Sequence, residues 1–257
     1  MKRLVLALAA AGLFTGAGPA SAERLIATLT DHRVLITSNY TGVRLVLFGS
    51  IERDAQTPAR HGPYDIVVTV TGPREPLRVR RKSRVLGIWV NTEAHTFVDP
   101  PSYLAVLASA PLEAITGAEN QRQLQLGLAN TRLPELVNND IGMVSNDPFV
   151  AALMRIMRER GLYSEEPNAV TFLTPTLFRA SIALPAQVPI GDYTVDVKLF
   201  AEGNLLTETN AAFEIAKVGF EQFVVETARE HGLLYGLATA MMALMTGWIA
   251  SVAFRRD

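Results

Sequence analysis

The sequence contains no cysteine among its 257 residues. This absence excludes disulfides, thiolate catalysis, iron–sulfur clusters, covalently attached c-type haem and a lipoprotein lipid anchor. The stability of the folded chain must therefore come from packing.

An excess of charge of one sign is also lacking, because 24 basic residues oppose 25 acidic ones and the formal net charge is −1. A chain so close to neutral gives no reason to expect nucleic acid, or a broadly anionic surface, as its partner.

Motifs for catalysis are absent as well. No serine stands in a Gly-x-Ser-x-Gly motif. The histidines follow no metal-ligand spacing; they are His32, His61, His95 and His231. We therefore expect no enzymatic activity, no cofactor and no metal site. A hydrolase or metalloenzyme is the alternative only if the first three histidines converge in the fold.

Long apolar runs occur only near the two ends of the chain. At the first, Met1-Lys2-Arg3 precedes an apolar run over residues 4–14, and Ala20-Ser21-Ala22 fits the small-residue cleavage pattern. This order predicts a secretory signal peptide over residues 1–22, removed before Glu23.

The second run, residues 232–254, contains no charged residue. As a helix it would measure about 34 Å, which is enough to cross a bilayer core of about 30 Å. Arg255 and Arg256 follow it, so the positive-inside rule places a short tail, 255–257, in the cytoplasm. These features predict a single-pass protein of the inner membrane with its body in the periplasm.

Small residues recur along this predicted transmembrane helix at Gly232, Gly236 and Ala240, and again at Ala243, Gly247 and Ser251. Spacings near four let another helix approach closely, which predicts packing against an integral membrane partner. The alternative is that glycine and alanine are simply common in such helices.

Between the two ends, short β-branched and apolar runs alternate with turn residues, which predicts a mainly β fold with immunoglobulin-like β-sandwich domain(s). Helix formers over residues 111–132 and 147–161 predict a helical insertion, with Asp147 as N-cap and Gly161 as C-cap. The predicted organisation is a signal peptide (1–22), an N-terminal β-rich domain (23–110), a helical insertion (111–165), a C-terminal β-sandwich portion (166–217), a juxtamembrane linker (218–231), one C-terminal transmembrane helix (232–254) and a cytoplasmic tail (255–257).

Strands are predicted over residues 77–82, 85–90 and 96–98, and the first carries most of a dense cluster of cations. The cluster, here called the basic strip, comprises Arg78, Arg80, Arg81, Lys82 and Arg84. Such a strand resists edge-to-edge pairing, which is its simplest interpretation. Arginine also suits lipid phosphates, small oxyanions or an acidic loop, so the basic strip is the candidate binding site. Trp89, in an apolar strand, is predicted to be core.

Several segments carry a resemblance to a known family: Leu45–Gly49, Val79–Asn91, Gly161–Tyr163, Phe178-Arg179, Val188–Tyr193 and Leu234–Arg256. From Leu25 to Arg256 the chain resembles an uncharacterised family of alphaproteobacterial transmembrane proteins. The resemblance implies no catalytic site. It does imply a role accessory to transport, because genes of the family often neighbour a permease of the sulfite-exporter type.

The expected function is that of a non-enzymatic, membrane-anchored periplasmic accessory protein. Its expected partners are the lipid bilayer and an integral membrane transporter. The alternative is a membrane-anchored module that binds a small molecule or an anion through the basic strip.

Overall fold

The computed structural model describes residues 23–37, 40–53, 62–137, 140–143, 147–217, 228–229 and 231–253. The predicted signal peptide, most of the predicted linker, the tail and His61 lie outside the described residues.

Fourteen strands and five helical segments make up the described chain. The strands are β1 (Glu23–Leu29), β2 (Arg33–Ile36), β3 (Gly42–Arg53), β4 (Tyr64–Thr71), β5 (Leu77–Val85), β6 (Ile88–Phe97), β7 (Leu104–Ala108), β8 (Pro134–Val137), β9 (Asp140–Met143), β10 (Tyr163–Glu166), β11 (Val170–Phe172), β12 (Leu177–Pro185), β13 (Gly191–Ala201) and β14 (Asn204–Lys217). The helical segments are α1 (Leu112–Ile115), α2 (Ala118–Gln123), a 3₁₀ turn (Leu128–Asn130), α3 (Pro148–Glu159) and α4 (Gly232–Ala253).

Three sheets organise these strands. Sheet I has the order β1-β3-β12-β11, sheet II the order β10-β7-β4-β13-β14-β2, and sheet III the order β5-β6-β8-β9. Pairing is antiparallel except between β10 and β7 and between β14 and β2. The prediction of a mainly β chain is confirmed, and the immunoglobulin-like topology stays a prediction.

Sheets I and II, here called the body, share one hydrophobic core. Alternation along β12 buries Phe178, Ile182 and Leu184, and the same period along β13 buries Val195 and Val197. The Phe178 ring lies over Gly49 on the neighbouring strand, where a Cβ atom would stand 2.1 Å from it. A larger residue than glycine would displace this ring.

Three buried tyrosines donate hydrogen bonds to backbone carbonyls of the body. The Tyr193 hydroxyl reaches the Pro189 carbonyl at 2.6 Å, and that of Tyr163 reaches Pro101 at 2.6 Å. Tyr103, just before β7, reaches the Ala183 carbonyl of β12 at 2.8 Å and so joins sheets II and I. Burial raises the pKa of all three phenols above the ordinary value.

The region between β7 and β10 differs from the long helix expected over residues 111–132. The chain there makes α1, α2 and the 3₁₀ turn. Extended backbone at Thr116 and Gly117 separates α1 from α2, and positive φ angles at Gln125 (52°) and Gly127 (83°) prevent α2 from continuing. Strands β8 and β9 follow. The helix expected over 147–161 is present as α3, with the Phe149 amide donating to Asp147 at 2.8 Å and Gly161 at φ 69°.

Helix α4 is 22 residues long and carries no acidic residue in its first turn and no basic residue in its last. Leu233, Leu237, Leu244, Trp248 and Ile249 are exposed on it. Within the part of the chain that the structure describes, no helix meets the length and apolar character required to cross a membrane.

Candidate functional site

The basic strip lies on a β-hairpin formed by β5 and β6. The two strands pair antiparallel from Leu77–Phe97 at the base to Val85–Ile88 beside the turn. The turn residues, Leu86 and Gly87, have φ angles of 49° and 86°. Two successive positive φ angles are typical of a type I′ turn, whose twist matches that of a hairpin. The predicted strands 77–82, 85–90 and 96–98 are thus two continuous strands.

A register shift between Arg81 and Lys82 leaves Thr92 as an extra residue on β6. The Ser83 hydroxyl donates to the Thr92 hydroxyl at 2.8 Å beside it. β5 itself alternates without interruption, so its successive side chains point to opposite faces.

This alternation divides the basic strip between two faces. Arg78, Arg80, Lys82 and Arg84 share one face, and all four are exposed. Arg81 lies on the opposite face, where its guanidinium stands 3.3 Å from the Glu93 carboxylate. The structure therefore brings four of the five predicted cations together without a carboxylate among the residues paired to them on β6.

Helix α3 contacts the base of the hairpin on the face of Arg81. The His95 ring of β6 stacks on the Phe149 ring with centroids 3.8 Å apart. Its Nδ1 lies 3.0 Å from the carboxylate of Asp147, the residue that caps α3. One aspartate thus both begins the helix and holds it to the hairpin.

A cleft of about 260 Å³ separates β5 from α3. Its apolar lining includes Val79, Phe149 and Ile156. Its lining also includes Arg81 of β5, the neighbouring Arg80 and Lys82, and Arg155 of α3. Apolar walls beside several cations suit an anion that has an apolar part, and forked guanidinium groups suit its oxygens.

Beyond this cleft the hairpin ends in exposed apolar residues. The hairpin tip, as named here, comprises Val85, Leu86, Ile88, Trp89 and Val90. Leu86 is 98% exposed, Ile88 68% and Trp89 66%. The prediction that Trp89 belongs to the core is therefore wrong: no second layer covers the outer half of this hairpin among the described residues.

The remaining predicted site residues lie on α4 or apart from one another. Gly232, Gly236, Ala240 and Gly247 are all exposed along that helix. His95 is engaged with α3, and His32 lies in the connection between β1 and β2. Among the described residues, no group of three metal-ligating side chains is placed to hold an ion.

A second polar cleft, of about 190 Å³, lies over sheet II, and sequence reasoning gave no sign of it. It is lined by Thr69, Arg74, Gln125, Asp196 and Lys198, among others. Lys198 Nζ lies 3.3 Å from a Glu208 carboxylate oxygen, and Arg74 Nη1 lies 3.6 Å from one of Asp99. These residues come from separate parts of the chain, so spacing alone could not associate them.

These features define a mainly β protein with a cationic, apolar-tipped hairpin and a C-terminal apolar helix. The chain belongs to the family described as "Putative transmembrane protein (Alph_Pro_TM)", whose model matches residues 24–256. This match confirms the resemblance seen in the sequence. No curated protein matches the chain.

Proposed function

We propose that this is a non-enzymatic accessory protein whose β-rich body lies in the periplasm and whose α4 segment anchors it in the inner membrane. The observation that carries the proposal is α4: an uncharged segment forms one helix of 22 residues. Its length is about 33 Å, which matches a hydrocarbon core of about 30 Å. The uncharged segment continues in the sequence to Phe254, and Arg255 follows it.

The proposed orientation rests on the sequence at both ends. The pattern of residues 1–22 favours export followed by cleavage. Arg255 and Arg256 after the anchor favour a cytoplasmic C-terminus. Both features favour the same topology.

Within the body, we propose an immunoglobulin-like arrangement. Tyr193 supports it, because a tyrosine near the start of a strand donates to the carbonyl of Pro189, four residues upstream. This is the geometry of the tyrosine corner of such sandwiches.

The proposed partner is an integral membrane transporter. Gly232, Gly236 and Gly247 support it: among the described residues, nothing beyond the adjacent residues and the surrounding helix backbone lies within 4 Å of where a Cβ atom would stand on any of them. A helix of the partner could approach closely there. The resemblance to the family favours a permease of the sulfite-exporter type.

Labelling of single cysteines tests the topology, because the native chain has none. Asn204→Cys places a thiol at the exposed turn between β13 and β14, and Asp257→Cys places one at the C-terminus. In intact spheroplasts a membrane-impermeant maleimide should label the first at once and the second only after lysis. Labelling of both in intact spheroplasts would refute the anchor orientation.

Affinity purification in mild detergent tests the partner. The full-length protein should recover a transporter that a variant with an unrelated anchor helix does not. Gly236→Leu together with Ala240→Leu should reduce this recovery by obstructing close approach. Met242→Phe adds bulk on the opposite side of α4 and is the matched control. Equal recovery with the unrelated anchor would exclude docking through α4.

The cleft between β5 and α3 favours a second candidate function, anion binding by the anchored body. Phosphate, sulfate and their monobutyl esters are the probes, and the midpoint of thermal unfolding is the readout. Replacing Arg80, Arg81 and Arg155 by Gln should abolish any stabilisation. Replacing Arg78 and Arg84, which lie outside the cleft, by Gln should leave the stabilisation unchanged. Equal losses in both variants would assign the effect to general charge.

A further inference from the structure

We propose that the hairpin tip docks into the interface of a lipid bilayer that carries anionic headgroups. The protein would then touch the membrane at a second point besides α4. This inference deepens the proposed membrane anchoring and rests on it.

The hairpin tip lies far from the hydrophobic core of the body. Val79 still packs against the core, and Leu86 lies seven residues further along the chain, in the turn after β5. At the rise of a strand this distance is about 23 Å. Apolar residues at this distance do not pack into the core. Exposed apolar patches of this kind mark interaction sites.

The backbone conformation and the exposure of Leu86 in the turn are both unfavourable for a leucine in water. Leu86 combines a φ of 49° with 98% exposure. Asparagine or glycine fits this position of a type I′ turn far better than leucine does. A strained residue of this kind points to a role outside the fold, and contact with hydrocarbon would provide one.

From the turn toward the body, apolar residues, a tryptophan and then cations follow one another, which is the order of the layers of a bilayer from its hydrocarbon to its headgroups. Trp89 pairs with Arg84 in the register, and Lys82, Arg80 and Arg78 continue on the same face toward the body. Leucine and isoleucine suit the hydrocarbon, tryptophan suits the interface, and arginine and lysine suit phosphates at the headgroup level. The only carboxylate between residues 77 and 97 is that of Glu93, and it pairs with Arg81.

The anchor would make this contact intramolecular. Residues 218–231 separate β14 from α4 and could span at most about 50 Å when extended. Tethering at this length gives a high effective concentration of the tip at the bilayer surface, so that a weak interfacial contact would be occupied.

Tryptophan fluorescence tests the proposal, because the chain has two tryptophans, Trp89 and Trp248. The full-length Trp248→Phe variant is reconstituted in vesicles of phosphatidylcholine, alone or mixed equally with phosphatidylglycerol. Lipids brominated on their acyl chains serve as the quencher. Trp89 emission should shift to the blue and be quenched, more strongly with phosphatidylglycerol present.

Leu86→Asn in the same background should lose most of this quenching while the protein stays folded, because asparagine suits the turn. Ile190→Asn removes an exposed apolar residue of the body and should leave the quenching unchanged. Equal quenching in all three proteins would overturn the assignment to the tip.

The Trp89→Phe variant separates the two proposals, since Trp248 then reports on α4. Quenching of Trp248 without quenching of Trp89 would refute the docking of the tip and leave the anchor intact. A blue shift of Trp89 without quenching by the brominated lipids would mean that protein covers the tip, which would also refute its docking into the bilayer. Absence of quenching at both tryptophans would overturn both proposals.

Discussion

The body and the hairpin are built from the same kinds of strand but place their aromatic residues oppositely. Phe178 of β12 is fully buried, with its ring over Gly49, whereas Trp89 of β6 is 66% exposed. Both lie in strands rich in apolar residues. The difference is the second layer. Sheet I packs against sheet II, whereas among the described residues α3 packs only against the base of the hairpin and leaves its outer half uncovered. Burial is thus decided by what faces a strand.

The largest effect that sharpens this comparison should come from truncating one aromatic residue in each region. Phe178→Ala should lower the free energy of unfolding by about 3–5 kcal/mol through the cavity it leaves. Trp89→Ala should change it by less than about 0.5 kcal/mol, as exposed substitutions do. Urea denaturation of the full-length protein in detergent, followed by circular dichroism, compares the two. Equal costs would mean that the tip is packed in solution.

Alkaline pH should separate the regions next, because the buried tyrosines lie in the body and the hairpin has none. Their raised pKa means that only the unfolded chain ionises as the pH passes about 10, so stability is complete below that pH and falls above it. Near pH 11 the loss should be about 1.4 kcal/mol for each of Tyr103, Tyr163 and Tyr193. Urea denaturation at successive pH values measures it; a flat profile would contradict their burial.

A single hydroxyl should produce a smaller loss. Tyr193→Phe removes the 2.6 Å hydrogen bond to Pro189. It should cost about 1–2 kcal/mol, because the carbonyl loses its buried partner. Tyr40→Phe is the control, since its hydroxyl stands 3.4 Å from the Leu184 carbonyl and is only half-buried. Thermal unfolding of both variants should rank Tyr193 above Tyr40, and the reverse order would argue against a tyrosine corner.

The smallest expected effect has the opposite sign and belongs to the hairpin. Leu86→Asn should raise the free energy of unfolding by up to about 1 kcal/mol, because asparagine tolerates positive φ. Gly87→Ala, at φ 86°, should lower it. Thermal unfolding in detergent compares the two with the native protein. A destabilising Leu86→Asn would show that this leucine serves the fold, and would remove one support for its contact with a membrane.

The sequence predicted strands best where one face of a strand is buried. Buried and exposed residues alternate clearly along β12 and β13. Asp147 and Pro148 mark the start of α3 in the sequence, and Gly161 marks its end. β7 offers no such signal, because all five of its residues are buried and it has no alternation to detect. β10 was missed because Glu165 and Glu166 look like loop residues, although Glu165 accepts the Leu128 amide at 2.8 Å.

The candidate site was predicted only in part. Five cations within seven positions identified the basic strip without any knowledge of the fold. Its division between two faces depends on the uninterrupted period of β5, and its cleft depends on Arg155, more than 70 residues away in the chain. The exposure of Trp89 depends on the missing layer, which no local pattern encodes.

The last strand of the body has a mechanical consequence. β14 is held on one side by β13, antiparallel, and on the other by β2, parallel, up to the pair Lys217–Ile36. A pull on the chain beyond Lys217 would therefore act along β14 and load both ladders of hydrogen bonds in shear, many at once. Because β2 comes from the first part of the body and β13 from the last, both halves of the fold would share the load of whatever holds the chain at its C-terminal end.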